Sequence, residues 1–201
     1  MSSQQALSPN CPLTPLQVVF AKWKELHEAY VQADRGDPAY WASEASNCGL
    51  LATAAHMVGG RGLVEVPLNR HVPAGVSKGA VDLWLESPPP NQITFLVEAK
   101  QRLLDSASAD RRTETVRCAL ANAEEQVRQL DRSWDQEGLV RSAAIVFALP
   151  KLTGSRPIAD FAVELARSLT DCYIQSVGCE PAPVWQNNHF PGIIMVARGM
   201  L

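Results

Sequence analysis

No stretch of this chain reaches the ~18–20 consecutive apolar residues that a membrane-spanning helix needs. No C-x-x-C pair occurs, and the five cysteines (Cys11, Cys48, Cys118, Cys172, Cys179) are odd in number and scattered. That pattern predicts reduced thiols in a cytoplasmic protein. The N-terminal segment MSSQQALSPNCPLTP lacks a basic start followed by an apolar block, so no secretory signal is expected. Positive charge is not in excess: 18 Lys and Arg stand against 21 Asp and Glu, a formal net charge of −3. A strongly basic, non-specific nucleic-acid coat is thereby excluded. A nucleic-acid enzyme is not, because its acids can hold a metal while its basic residues cluster locally. There is no internal repeat, and Pro88-Pro89-Pro90 is the one low-complexity patch. What remains is a 201-residue chain, 46% hydrophobic, long enough to bury one sizeable core without disulfides.

The element pattern predicts one α/β domain over 1–201, with 1–13 as a loose arm. Thr14-Pro15-Leu16-Gln17 reads as a helix start, with Thr14 as cap, Pro15 at the first position and Gln17 completing a capping box. Leu16, Val19, Phe20, Trp23, Leu26 and Tyr30 then recur at helical spacing to about residue 33. Asp37-Pro38 predicts a second helix that runs to Met57 and ends at Gly59-Gly60. Strands are expected at 63–68, 80–86 and 92–98, with a loop through Pro73, Gly75 and Gly79 after the first. Pro67 places the first strand at an edge or bulge. A long helix near 113–135 carries Val116, Leu120, Ala123, Val127, Leu130 and Trp134 as its apolar stripe. A buried strand at 142–149, a helix at 158–170 and strands at 172–177 and 192–198 complete an α/β sandwich around one mixed sheet.

The chemistry gathers on the hairpin of 80–86 and 92–98. Side chains alternate with period two, which predicts Val81, Leu83 and Leu85 on one face and Asp82 on the other. Glu98 and Lys100 share a face, with Ala99 opposite. If Glu86 pairs near Gln92, Asp82 faces Leu96 and Glu98 is its diagonal neighbour, ~7–8 Å away at Cα. Glu98 ends the apolar run Ile93-Thr94-Phe95-Leu96-Val97, so it is expected to be buried. A buried carboxylate is costly unless it is paired or bound to a metal. Oxygen donors of this kind suit Mg²⁺, and Lys100 would orient a water for phosphodiester hydrolysis. The plain alternative is a salt bridge from Lys100 to Glu98 or Asp82.

Asp82, then Glu98-Ala99-Lys100 across a hairpin, resembles the PD-(D/E)XK nuclease superfamily, the restriction-endonuclease-like fold. The resemblance implies an α-β-β-β-α-β core over 38–149. It implies a Mg²⁺-dependent nuclease, with Mn²⁺ able to substitute, whose products carry 5′-phosphate and 3′-hydroxyl ends. Asp82, Glu98, the Ala99 carbonyl and Glu44 would hold the metal, and Lys100 would position the attacking water. Glu44 matches the acidic residue often found on the helix before the hairpin. Gln126 matches a glutamine that some members carry on the following helix. Val81 stands where the motif's name has Pro, and Leu130 where one branch has Tyr. DNA is expected as the partner in preference to RNA, with a homodimer or a partner protein as a further possibility.

An acid-x-Lys tripeptide arises readily by chance, so its placement at a strand end carries the weight. Glu65, in the preceding strand, is a rival third carboxylate. Arg102 is the favoured phosphate contact. Residues 98–132 hold seven basic and seven acidic residues, so Arg111, Arg112, Arg117, Arg128 and Arg132 read mainly as a solvated helix face. Trp41 and Trp84 could stack on bases, with core packing as their ordinary role. Gly75-Val76-Ser77-Lys78-Gly79 matches a nucleophile elbow, but a strand follows where a helix must. His27, His56, His71 and His189 show no zinc spacing. A nuclease-like fold used only for binding or assembly is the second reading of the same residues, and a nuclease subunit active only with a partner is the third.

Overall fold

The computed structural model describes residues 11–33, 43–90, 92–105, 108–135, 137, 139–151, 156–179, 182, 184, 185 and 188–200. A 3-10 turn, Thr14–Leu16, leads into α1 (Gln17–Ala33), followed by α2 (Glu44–Met57). Three strands come next: β1 (Arg61–Val72), β2 (Gly75–Glu86) and β3 (Thr94–Leu104). Then come α3 (Ala109–Arg128), β4 (Arg141–Pro150), α4 (Ile158–Ser168) and β5 (Tyr173–Gly178). Two-residue strands β6 (Val184–Trp185) and β7 (Asn188–His189) precede β8 (Gly192–Met200). Six strands form one mixed sheet in the order β1-β2-β3-β4-β8-β5. β3 and β4 run parallel, and the other pairs in this sheet are antiparallel. The fold is therefore mixed α/β, as the element pattern predicts. No helix among the described residues is long and apolar enough to cross a membrane.

The centre of the sheet is buried on both faces, while β1 at its edge is largely exposed. Phe20, Trp23 and Leu51 from α1 and α2 pack with Leu83, Leu85, Phe95, Val97 and Phe147. On the other face Val116 and Leu120 of α3 and Phe161 of α4 pack with Ala144, Val146 and Val196. β4 is a central strand whose two faces are covered by α1 and α2 on one side and α3 and α4 on the other, and nine of its ten residues are buried. That explains why it reads as an unbroken apolar run. Arg112 is 8% exposed and holds both oxygens of Glu164, at 2.9 and 2.7 Å, tying α3 to α4. Leu13, in the segment expected to be a loose arm, is fully buried, and Pro12 offers its carbonyl to Arg141 at 3.2 Å.

Several boundaries differ from the sequence expectation. Leu13 and not Thr14 is the N-cap of the first turn. Ser43 caps α2 by accepting the Ser46 N–H at 3.1 Å, and the expected start at Asp37-Pro38 lies outside the described residues. The loop expected from Pro73 to Gly79 shrinks to the Pro73-Ala74 turn, because Val72 already pairs with Gly75. Gly75 takes φ +118°, a conformation open to glycine. α3 starts earlier, at a Ser108 cap, and ends at Arg128. Leu130 and Trp134 therefore leave the helix: Leu130 bridges to Arg70, and Trp134 stacks on Trp84 at 5.4 Å.

Two differences bear on the hairpin. Glu86 pairs with Thr94 and not with Gln92, a shift of two residues. An even shift keeps every side chain on its face. The expected common face of Val81, Leu83 and Leu85 does not form, however. Val81 packs with Leu96 and Leu130, whereas Leu83 and Leu85 pack on the α1/α2 side. The cause lies in β1, where Glu65 takes φ +52° and the β1–β2 ladder skips the Glu65–Asp82 pair. A left-handed residue in one strand re-aims the side chains that follow.

α2 packs on β1 through Gly62, where an added Cβ would lie 2.4 Å from the Ala52 Cα. Gly62→Ala is expected to push α2 off the strand and destabilise the fold by about 1–3 kcal/mol. Urea denaturation reads this as a lower midpoint, and an unchanged midpoint would contradict the close packing.

Candidate functional site

The β2–β3 ladder runs only from Glu86–Thr94 to Leu83–Val97. Beyond that point β2 continues with β1 and β3 continues with β4, so the sheet forks. Backbone groups on the inner edges of a fork need partners other than a neighbouring strand. Two carboxylates supply them on β3. Asp82 Oδ2 accepts the Ala99 N–H at 2.8 Å, and Glu44 Oε2 accepts the Gln101 N–H at 2.7 Å. Glu44 is the first residue of α2, where an acidic side chain also complements the helix dipole. Asp82 comes from β2, so helix and hairpin meet on the free edge of β3.

Lys100 completes this side. Its Nζ donates to the Ala99 carbonyl at 2.6 Å and stands 3.7 Å from Asp82 Oδ2 and 3.9 Å from Glu44 Oε1. Its side chain is 16% exposed, against 30% for Asp82 and 34% for Glu44. A small cavity of about 80 Å³ opens beside them, lined by Glu44, Ala45, Cys48, Val64, Glu65 and Asp82. Glu65, the rival carboxylate, therefore does face the site, and its left-handed backbone puts it there.

Glu98 is the buried member, at 1% exposure. Its Oε1 accepts from Arg70 Nη2 at 2.5 Å. Arg70 also donates to the Ala80 carbonyl at 2.5 Å and to the Gln126 carbonyl at 2.9 Å. Burial first, and the Asp82 carboxylate second, push the Glu98 carboxyl up to about 7 despite the arginine. Gln126 thus reaches the site by its backbone, while its side-chain Oε1 is buried with no hydrogen-bond partner among the described residues.

The structure brings Asp82, Glu98, Ala99, Lys100 and Glu44 together, with Gln126 behind Arg70. It does not bring Arg102 to them. Arg102 bonds the Gln101 carbonyl and lines an open cleft of about 470 Å³ with Arg111, Glu114 and Asn122. Arg117 and Arg128 pair with Glu114 and Glu124 on their own helix, as expected of a solvated face. Trp84 stacks on Trp134, and Trp41 lies outside the described residues. Arg70 lies beyond residue 68, where the sequence pattern ends the first strand, whereas β1 runs on to Val72. The signal was present: Val66, Leu68 and Arg70 continue one period-two face of β1.

Neighbouring polar groups extend the site inward. Asn47 Nδ2 donates to Gln101 Oε1 at 3.0 Å and to the Ser43 carbonyl at 3.1 Å. His27 is fully buried against Trp23, and burial lowers its pKa to about 4, so it is neutral at physiological pH. Burial, then Asp82 and Glu44, push the Cys48 thiol far up, so it stays protonated.

The donor set suits a hard divalent cation in kind, since Glu44, Asp82 and Glu98 offer carboxylate oxygens and Ala99 a carbonyl. With Glu65 the cluster carries four carboxylates against Arg70 and Lys100, an excess of negative charge. Two donors are engaged by cations of the chain, Glu98 by Arg70 and Ala99 by Lys100. As the side chains stand, no group of three or more His, Cys, Asp or Glu among the described residues is arranged to hold a metal ion.

No family model, no curated protein and no solved structure matches the chain. The site is thus defined by its geometry and chemistry alone.

The raised Glu98 pKa fixes a pH signature. Unfolded, the carboxyl titrates near 4.5, and folded near 7. Between those values the folded chain retains a proton that the unfolded chain has lost, so this group's contribution to stability falls as pH rises. Wild type is expected to lose stability relative to Glu98→Gln across that window, by up to about 1.4 kcal/mol per pH unit. Paired urea titrations in metal-free buffer test it. A gain in relative stability with rising pH would show that Arg70 outweighs burial.

Proposed function

We propose that this chain is a metal-dependent nuclease built on a restriction-endonuclease-like core, hydrolysing phosphodiester bonds in DNA in preference to RNA. The observation that carries the reading is the convergence of Glu44, Asp82 and Lys100 on the β2–β3 fork. Lys100 Nζ stands 3.7 Å from Asp82 and 3.9 Å from Glu44, with Glu98 buried behind them. Asp82, Glu98, Glu44 and the Ala99 carbonyl would hold Mg²⁺ or Mn²⁺. Such an ion supplies positive charge to the oxygens of the scissile phosphate.

The chain's own groups have separable tasks. The Ala99 and Gln101 N–H groups fix the Asp82 and Glu44 carboxylates in place. The Lys100 ammonium, held between Ala99 and the two carboxylates, is the donor suited to orient an attacking water in line with phosphorus. Partial exposure of Asp82, Glu44 and Lys100 leaves the cavity open to a strand arriving from solvent. A second reading is a module of the same fold that binds without cutting. It is favoured by one observation: Arg70 and Lys100 already occupy Glu98 and Ala99.

Cleavage of supercoiled plasmid, linear duplex and single-stranded DNA, with Mg²⁺ or Mn²⁺ against EDTA, tests the proposal. Metal-dependent cutting is expected, falling at least ~100-fold in Lys100→Ala and in Asp82→Ala. Full cutting in either variant would refute this site. No cutting by wild type on any substrate would transfer the weight to the binding module.

A further inference from the structure

We propose that Arg70 is a positioning residue of this site: its guanidinium is the fixed counter-cation of Glu98, stands in for a second divalent ion, and leaves the site able to take one. The inference rests on the nuclease reading and specifies how many ions that site accepts.

Two arginine–glutamate pairs in this fold show why Arg70 is not an ordinary structural partner. Arg112 binds both carboxylate oxygens of Glu164, and Arg156 adds a bond to Oε2 at 3.2 Å, so both oxygens are held by arginine. Arg70 gives Glu98 one bond, to Oε1. It also donates to two main-chain carbonyls, Ala80 on β2 and Gln126 on α3. The guanidinium is therefore held by the frame of the protein and touches one side of the carboxylate. Asp82 lies within hydrogen-bonding reach of the same carboxyl group. Glu98 thus has a fixed cation on one oxygen, while Asp82 is held at the next residue by the Ala99 N–H.

The position of this cation matters for loading. Arginine stays charged at any ordinary pH, and its planar fork holds its geometry. Whenever it is ionised, a carboxylate at 1% exposure needs a counter-charge. Arg70 supplies it without an ion from solution. A second divalent cation on the Glu98 flank would have to displace a guanidinium held by three acceptors on three elements, β2, β3 and α3. A first cation on the Asp82 side meets Lys100, whose ion pairs with Asp82 and Glu44 are 3.7 and 3.9 Å long, and carboxylates that each also accept one backbone N–H.

Isothermal titration of the whole chain with Mn²⁺ tests the inference. Wild type is expected to take up one ion. Arg70→Lys keeps the positive charge and should also take one, with affinity within about threefold of wild type. Arg70→Gln removes the charge and should take a second ion, or bind the first at least about tenfold more tightly. A purely structural role for Arg70 predicts no such gain in uptake. Two ions bound by wild type would overturn the proposal, even if Arg70→Gln fails to fold. A folded Arg70→Gln protein with unchanged stoichiometry and affinity would overturn it too. If wild type takes up one ion and cuts DNA while Arg70→Gln behaves as wild type, the nuclease reading stands and this inference alone falls. If wild type takes up none and cuts nothing, both fall together.

Discussion

The ladder between β2 and β3 ends at Leu83–Val97, and the site exists because it ends there. Continued by one step, the same register would set Asp82 directly across from Glu98. Like charges directly opposite in an antiparallel pair are destabilising. The fork removes that pairing and leaves the inner edge of β3 with N–H groups at Ala99 and Gln101 to satisfy. Asp82 and Glu44 satisfy them, so the lost strand bonds are replaced by charged acceptors. On the β2 side the Ala80 carbonyl is taken by Arg70. Asp82, Glu44 and Arg70 thus also repair the broken ladder.

That arrangement sets the electrostatics. Glu98 lies deepest and keeps a counter-ion within bonding distance, yet burial and Asp82 still raise its pKa to about 7. Asp82 and Glu44 lie nearer solvent and are held by backbone N–H groups. The interior beyond them takes on no charge of its own: His27 is neutral with a pKa near 4, and the Cys48 thiol stays protonated. Apart from Glu98, the site's carboxylates lie on the open side of the fork, where Lys100 meets Asp82 and Glu44.

Much of this was legible in the sequence, for identifiable reasons. The order of elements followed from period-two and helical spacing, and the apolar run before Glu98 correctly predicted its burial. Asp82, Glu98, Lys100 and Glu44 were expected together, and the structure brings them together. The register differs by two residues from the one the turn suggests, and an even shift preserves faces. Arg70 was lost because Pro73, Gly75 and Gly79 suggested a loop, while two of these residues form a tight hairpin end and the last is paired within β2. The separate packing of Val81 and Leu83 was not readable at all. It depends on a positive φ at Glu65, a residue type that gives no local sign of one. Helix α3 was placed too late because Leu130 and Trp134 continue its spacing by chance, although both pack outside it on β1 and β2.

The two site cations are unequal, and the inequality follows from the chemistry of the side chains. Arg70 reaches three fixed acceptors because a guanidinium presents several donors in one plane. Lys100 has one close bond, to the carbonyl of the residue before it, and two longer ion pairs. An ammonium on a flexible stem exchanges partners at little cost, whereas withdrawing Arg70 would strand a buried carboxylate. The cation that can move is therefore the one at the open cavity, beside Asp82 and Glu44. The cation that cannot move is the one that shields the core from the site's negative charge.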